Sequence, residues 1–355
     1  MRWFDSHLDL ACLALEGRDM RAADPGPSGG QNPPGSVTFP SLLAGNVTDM
    51  LATIFIEPEG SPESIAYTPG EDHNAVSSAC IAAHRQMELY EQWEREGHLR
   101  LVTPGPVARA DAALEMGAER AMPAGRGIRT RILVEGADGI RSPEELHEWH
   151  ARGVAAVSLA WAKQTRYAGG NGCETGLTPL GRDLIKEMDR LGVTHDVSHL
   201  SDASLRELLE LTDRPVIASH SNCRSLLDDG SLSLAMRQRH LADDSIREIG
   251  RRGGMVGSVL FGPFIVRGGK RDRRATLNEW ALHADRLAEL LGSRSRVGLG
   301  SDADGGFSAL MLPDGIDRPE DYVKLAETLR TRGWSDTDIA GFAHANWHRF
   351  WTGTS

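Results

Sequence analysis

The sequence predicts an eight-stranded parallel α/β barrel of the (β/α)8 (TIM) type with C-terminal helices, one domain spanning residues 1–355. Three observations carry that expectation. Short apolar segments rich in β-branched residues recur along the chain, most of them followed by an amphipathic stretch of helical period, which is the alternation a parallel barrel needs. Several of these segments end in a histidine or a carboxylate, and barrels of this type build their sites at the strand ends. A chain of 355 residues also supplies ample core for one large barrel.

The first segment, RWFDSHLDL, is charged yet runs into Leu10, Ala11, Leu13 and Leu15, so it reads as a buried strand. Alternation puts Asp5, His7 and Asp9 on one face, with successive members about 6.6 Å apart. Residues 24–35, DPGPSGGQNPPG, suit neither helix nor ladder and are expected as an exposed loop rimming the barrel mouth. VTDMLATIFIEPEG is the second strand, and residues 74–96 form a long helix carrying Met87, Leu89 and Trp93. The third strand is RTRILVEG, residues 129–136, with Leu133 and Glu135 on one face and Glu135 at its end. Ser142 before Pro143, Glu144 and Glu145 reads as a helix N-cap.

AAVSLAW, residues 155–161, is the fourth strand and ends in Trp161; Thr178 then caps the helix TPLGRDLIKEMDRL. The fifth and sixth strands, VTHDVSH and PVIASHS, flank an amphipathic helix. Period two puts Val193, Val197 and His199 on one inward face, and Val216, Ala218 and His220 on another. Parallel strands joined by a helix end on the same side, so the two imidazoles are expected to converge. His195 faces the same way as His199 but about 13 Å lower along the strand, which assigns it to a lower barrel layer. GMVGSVLF, residues 254–261, is the seventh strand and RVGLGSDADGG the eighth, with Gly298, Gly300 and Asp302 alternating on one face; from Pro319 onward the chain is helical.

Composition narrows the function. Lys and Arg number 39 against 50 Asp and Glu, a net charge of −11, which argues against nucleic acid or an anionic membrane as partner. Cys12, Cys80, Cys173 and Cys223 form no CxxC pair, so neither a disulfide framework nor a thiolate zinc site is signalled. No apolar run reaches the roughly 18 residues of a membrane span. A soluble cytoplasmic protein acting on a small molecule is the expectation.

A histidine taken alone is most simply a hydrogen-bonded core residue, and a terminal glutamate a solvated charge. What a stability role does not explain is the convergence of His7, Asp9, Glu135, His199, His220 and Asp302 on one mouth from distant strands. Three imidazoles and three carboxylates without a thiolate suit two zinc ions or similar borderline divalent ions. Two such ions about 3.5–4 Å apart lower the pKa of a shared water from about 15.7 towards 7, and a remaining carboxylate can orient that water and pass its proton to a leaving amine. The chemistry points to hydrolysis of an amide or related bond.

In order along the chain, DSHLDL, LVEG, GLTPLGRDLIKEMDRLGVTHDVSH, VIASHSNCRSL, RHLADDSIREIGRRGGMVG and VGLGSDADG resemble the successive motifs of the membrane (renal) dipeptidases, zinc metallopeptidases of the amidohydrolase-like barrel type. The resemblance covers nearly the whole chain. It implies two Zn2+ per chain, one held by His7 and Asp9 and the other by His199 and His220, with Glu135 bridging both and Asp302 beside the bridging hydroxide. It further implies an arginine for the substrate's terminal carboxylate: Arg239 after the insertion LLDDGSLSLAM, or Arg224 in its place. The implied substrates are dipeptides, including those with a C-terminal D-residue, and the expected assembly is a homodimer.

Two positions depart from the family pattern. Its fourth strand normally ends in a histidine that donates to the substrate oxyanion, and here Trp161 holds that place; EGAD likewise puts Asp138 where a second histidine is usual. Losing one oxyanion donor costs about 10²- to 10³-fold in rate. Lys163, Arg166 and Asn171 are the candidates to compensate. The alternatives are a binuclear hydrolase of a non-peptide amide, lactone or imide with Trp161 as an apolar wall, and a catalytically impaired family member.

Overall fold

Among the described residues nine strands run parallel, in chain order: β1 Trp3–Leu8, β2 Val47–Phe55, β3 Leu99–Leu101, β4 Ile128–Glu135, β5 Val154–Ser158, β6 Thr194–Asp196, β7 Ile217–Ala218, β8 Met255–Ser258 and β9 Val297–Leu299. A computed structural model describes residues 1–56, 73–103 and 127–353 of the chain. The sheet order is β2-β1-β9-β8-β7-β6-β5-β4-β3, and β2 also pairs with β4 over Asp49–Phe55, closing eight strands into a ring. The short β3, which the apolar pattern does not signal, lies outside the ring against the start of β4.

All eight expected strands form, but most stop earlier than their apolar runs. The fourth ends at Ser158 rather than Trp161, the fifth at Asp196 rather than His199, and the sixth at Ala218 rather than His220. Residues 57–60 of the expected second strand lie outside the described residues. Ring strands covered on both faces by protein carry no clean alternation; eight of the nine residues of β2 are buried, which makes its inward face illegible in the sequence. The helix expected over 74–96 spans His73–Arg95. Thr178 caps Pro179–Leu191 by accepting from the Gly181 amide, whereas Ser142 makes no side-chain cap and Pro143–Glu145 is a 3-10 turn ahead of the helix Leu146–Ala151.

The described residues form two apolar clusters. The larger packs the outside of the ring against the helices. The smaller takes Phe4, Leu51, Leu133, Ala156, Ile217 and Met255 from six strands and closes the barrel floor with Trp347 from the C-terminal helix Asn346–Thr352. The Trp347 indole N–H donates to Leu299 O at 3.1 Å, and a Cβ on Gly298 would run into that indole, which is why this inward position of β9 is a glycine.

Floor and outer clusters together overturn the face assignment of two strands. Val193, Val197, Val216 and Ala218 belong to the outer cluster, so the inward residues are Asp196, Ser198, Ile217 and Ser219. His195 is accordingly not a lower-layer barrel residue: its Nε2 meets Asp189 on the neighbouring helix at 2.8 Å. Asp5 also leaves the expected face. The β1–β2 register shifts between Asp5 and Leu8, and the Asp5 carboxylate accepts from the Ser301 amide at 2.8 Å and from Tyr322 Oη at 3.1 Å.

A second acid–base cluster sits at the opposite, N-terminal end of the strands. Asp49 accepts from Arg129 Nε at 2.7 Å and from His344 Nε2 at 2.8 Å, while His348 Nδ1 lies 3.0 Å from Arg129. These side chains have metal-ligand spacing, yet the guanidinium already supplies the positive charge, so the cluster is an ion-pair network that pins the C-terminal helix to β2 and β4.

Candidate metal centre

The residues of the mouth come from the ends of strands or from the turns that follow them. His7 is on β1, and Asp9 N-caps the helix Leu10–Leu15, with its Oδ1 accepting from Thr53 Oγ1 on β2. Glu135 is the last residue of β4, before Gly136 in the left-handed region. His199, Asp302 and Asp304 have φ of 66°, 58° and 65°, and Asn46 is the other non-glycine residue with positive φ among the described residues. Such conformations cost about 1–3 kcal/mol each and persist where surrounding contacts demand them. Strand alternation therefore does not deliver His199; a left-handed residue swings its ring inward.

Glu135 stands between two groups of donors. Its Oε2 lies 3.6 Å from His7 Nε2, and its Oε1 lies 3.2 Å from His199 Nε2 and 3.5 Å from His220 Nε2. His7 Nε2 is 3.7 Å from Asp9 Oδ1 and 4.0 Å from Asp302 Oδ1. Within each of the triads His7, Asp9, Glu135; Glu135, His199, His220; and His7, His220, Asp302, the ligand atoms lie within 4.8 Å of one another. The structure thus brings together all six side chains that the sequence picked out. Asp302 owes its position to Gly305, where a Cβ would collide with the Asp302 carboxylate.

The donor set fits divalent cations on two counts. Among the described residues His7 Nε2 and Glu135 Oε1 are buried without a hydrogen-bond partner, an expensive state for polar atoms that a cation relieves. Electrostatics agrees. Burial pushes the Asp9 and Asp302 carboxyls up and drives the His199 and His220 imidazoles well below their ordinary value. Burial would lower His7 too, but the carboxylates led by Glu135 outweigh it and hold it up at about 10.

Outer contacts orient the imidazoles. Asn171 Nδ2 donates to Ala235 O, so its Oδ1 accepts from His199 Nδ1 at 3.0 Å. Asn171 is thus committed to a ligand and is not a spare donor for substrate. Neither Lys163 nor Arg166 reaches the cavity; the Arg166 guanidinium donates to Arg141 O and stacks on Tyr167.

Above the centre opens a cavity of about 520 Å³ walled by Phe55, Trp161, Phe261, Phe264 and Phe307, with Gln31 and Asn32 from the Pro- and Gly-rich loop at its rim. The rim placement agrees with expectation, but the loop is anchored. Arg18, paired with Asp304 at 2.7 Å, donates to Gly29 O at 2.9 Å, and the Ser36 and Val37 amides donate to Asp304 at 2.8 and 2.7 Å. Trp161 packs edge-on to Phe55, ring centroids 5.2 Å apart, and tilts over His199 at 5.9 Å.

Neither expected arginine faces this space. Arg224 binds Asp202 at 2.8 and 2.5 Å and His240 O at 3.0 Å and does not line the cavity. Arg239 is buried behind Phe264, its guanidinium 4.8 Å from the ring and donating to His220 O at 2.8 Å and Ser221 Oγ at 3.2 Å. Arg271 is the guanidinium in the cavity wall; it lies 5.3 Å over the Phe261 ring and makes no hydrogen bond or ion pair among the described residues. The run RGGKRDRR around it has no period or motif that could have singled it out.

Fold and centre together define a (β/α)8 barrel that carries a metal-ligating set of imidazoles and carboxylates at its C-terminal mouth. Comparison with known proteins makes this specific: residues 1–355 match the family "Membrane dipeptidase (Peptidase family M19)", and the chain belongs to it. An uncharacterized dipeptidase of Schizosaccharomyces pombe is 29% identical over 232 residues, 64% of this chain and 53% of that protein. Dipeptidase 3 of Mus musculus is 30% identical over 172 residues, 48% of this chain and 32% of that protein. These matches thus span about half or less of the relatives' own length. A metallopeptidase of Rhodobacter sphaeroides, solved with a phosphinate mimic of L-Ala-D-Ala, superposes with a TM-score of 0.78 at 24% identity, covering 98% of this chain and 97% of that one. A probable dipeptidase of Pseudomonas aeruginosa superposes at 0.76 with 20% identity, covering 99% and 95%. Both share the fold.

Proposed function

We propose that the chain is a dipeptidase dependent on two divalent ions, with zinc the natural choice for a nitrogen and oxygen donor set without thiolate. The observation that carries this reading is Glu135, whose two carboxylate oxygens face different imidazoles while His7 Nε2 and Glu135 Oε1 stay buried and unpartnered. His7 and Asp9 would hold one ion, His199 and His220 the other, and Glu135 both. When bound, such a pair supplies a hydroxide nucleophile at neutral pH and polarises the scissile carbonyl.

The remaining work falls to the chain. Asp302, 4.0 Å from His7 Nε2, orients the attacking water, takes its proton and hands it to the leaving amine. Arg271, in the cavity wall and without an ion pair among the described residues, receives the substrate's terminal carboxylate, while the buried Arg239 keeps positive charge close to Asp302 and Glu135. The phenylalanines and Trp161 exclude water and hold the substrate side chains.

Trp161 favours a second reading. An indole packed on Phe55 where the family carries an oxyanion donor suits a flat, apolar amide, lactone or imide. Elemental analysis paired with a substrate panel separates the two: L-Ala-D-Ala and L-Ala-L-Ala beside N-acyl amino acids and lactones. Dipeptide turnover that requires two metal equivalents is the expected result. Turnover confined to the non-peptides would overturn the dipeptidase reading, and a fully metallated protein that hydrolyses nothing until Trp161 is changed to histidine is the impaired relative.

A further inference from the structure

We propose that Ser219, backed by Asp196, is a positioning residue shared by both halves of the metal centre, so that one hydroxyl sets the affinity of two ions at once. The inference rests on the binuclear reading above. Ser219 points into the barrel one residue before His220, in a layer of small polar groups between the apolar floor and the mouth, and it is fully buried. Its Oγ lies 2.6 Å from Asp196 Oδ2, 2.8 Å from His220 Nδ1 and 3.1 Å from His7 Nδ1, with Ser198 Oγ a longer neighbour at 3.3 Å.

A hydroxyl has one proton to give and two lone pairs to offer. Asp196 acts as the acceptor, because its other oxygen already takes the Ser198 and Ser219 amides at 3.0 and 2.9 Å. The Ser219 proton therefore goes to Asp196, and both lone pairs receive Nδ1–H groups, one from His7 and one from His220. That arrangement fills the capacity of the hydroxyl and fixes both rings in the tautomer whose Nε2 carries a lone pair towards Glu135. His7 and His220 are stacked at 3.5 Å, so a single anchor beneath them holds both planes. Gly257 and Gly300 make the anchor possible: a Cβ on either would strike the Ser219 carbonyl. His199 is oriented separately, by Asn171. The two supports are thus unequal in reach, Ser219 touching both halves and Asn171 one.

The test strips the full chain with chelator and titrates it with Zn2+ alone against a chromophoric competitor, with metal content checked by elemental analysis. Loss of an orienting partner behind a ligand costs about 10- to 100-fold in metal affinity. Ser219→Ala is expected to weaken both bound equivalents by that factor, and Asn171→Ala only one. The melting curve of the metal-free proteins distinguishes a purely structural role, which would shift the melt and leave the affinities of the folded protein unchanged. Should Ser219→Ala fail to fold, Asp196→Asn serves: its amide donates into one lone pair of the hydroxyl and turns the single hydroxyl proton towards the imidazoles, so one ring loses its acceptor and at least one equivalent weakens. Folded variants that bind both equivalents with wild-type affinity, or a Ser219→Ala that weakens one alone, overturn the proposal. A wild-type chain that binds no zinc would instead overturn the binuclear reading beneath it.

Discussion

Replacing Trp161 with histidine pits two effects of different size against each other. The indole has an edge-to-face contact with Phe55 and a tilted one with His199, and aromatic pairs of this kind contribute about 0.5–1.5 kcal/mol beyond their buried area. Trp161 is half-buried at the cavity wall, so little further apolar area is lost. Against this, one oxyanion donor lowers the barrier by about 2.7–4 kcal/mol, or 10²- to 10³-fold in kcat. The variant is therefore expected to melt a few degrees lower and to hydrolyse L-Ala-D-Ala at least tenfold faster. Steady-state kinetics at matched metal content, beside melts followed by circular dichroism, measure the two effects independently. A fully metallated, folded Trp161→His with unchanged or lower kcat would refute the idea that this position lacks a donor, and would leave Trp161 as a wall shaped for another substrate.

Three further outcomes are expected. Arg271→Ala should raise KM for dipeptides about 10- to 100-fold with kcat retained, because a charge-assisted contact of about 1.5–3 kcal/mol is lost from ground and transition states alike; an unchanged KM in initial-rate assays refutes the assignment. Asp49→Asn should lower stability by about 3–5 kcal/mol in urea titrations, since it leaves Arg129 buried beside a neutral group, and should leave zinc content untouched; loss of zinc would instead make the Asp49 cluster a metal site. Asp138, raised by burial to about 6 and held down in part by the Arg166 amide at 2.9 Å, binds more protons when folded than when unfolded between its ordinary value of 3.8 and about 6. Stability therefore falls as pH rises through that window, by up to about 3 kcal/mol. Asp138→Asn should remove the fall, so that its melting temperature exceeds the wild type at pH 7 and matches it near pH 3.5.

Much of this protein was legible in the chain itself. Alternating apolar strands and amphipathic helices specify a parallel barrel by local patterning, because each strand must be covered by the helix that follows it. Residue chemistry nominated His7, Asp9, Glu135, His199, His220 and Asp302, since imidazoles and carboxylates at strand ends have no packing purpose. What the chain could not reveal was orientation. Buried strands hide their inward face, so Val197 and Ala218 looked inward when Ser198 and Ser219 are; left-handed turns then bring His199 and Asp302 to the mouth. Asp5 parted from the face expected for His7 and Asp9 at a register shift, His195 turned out to Asp189, and Arg224 was captured by Asp202. Arg271 gained its place from a loop without pattern. These are contacts between residues far apart in sequence, and only closure of the ring decides which of them meet.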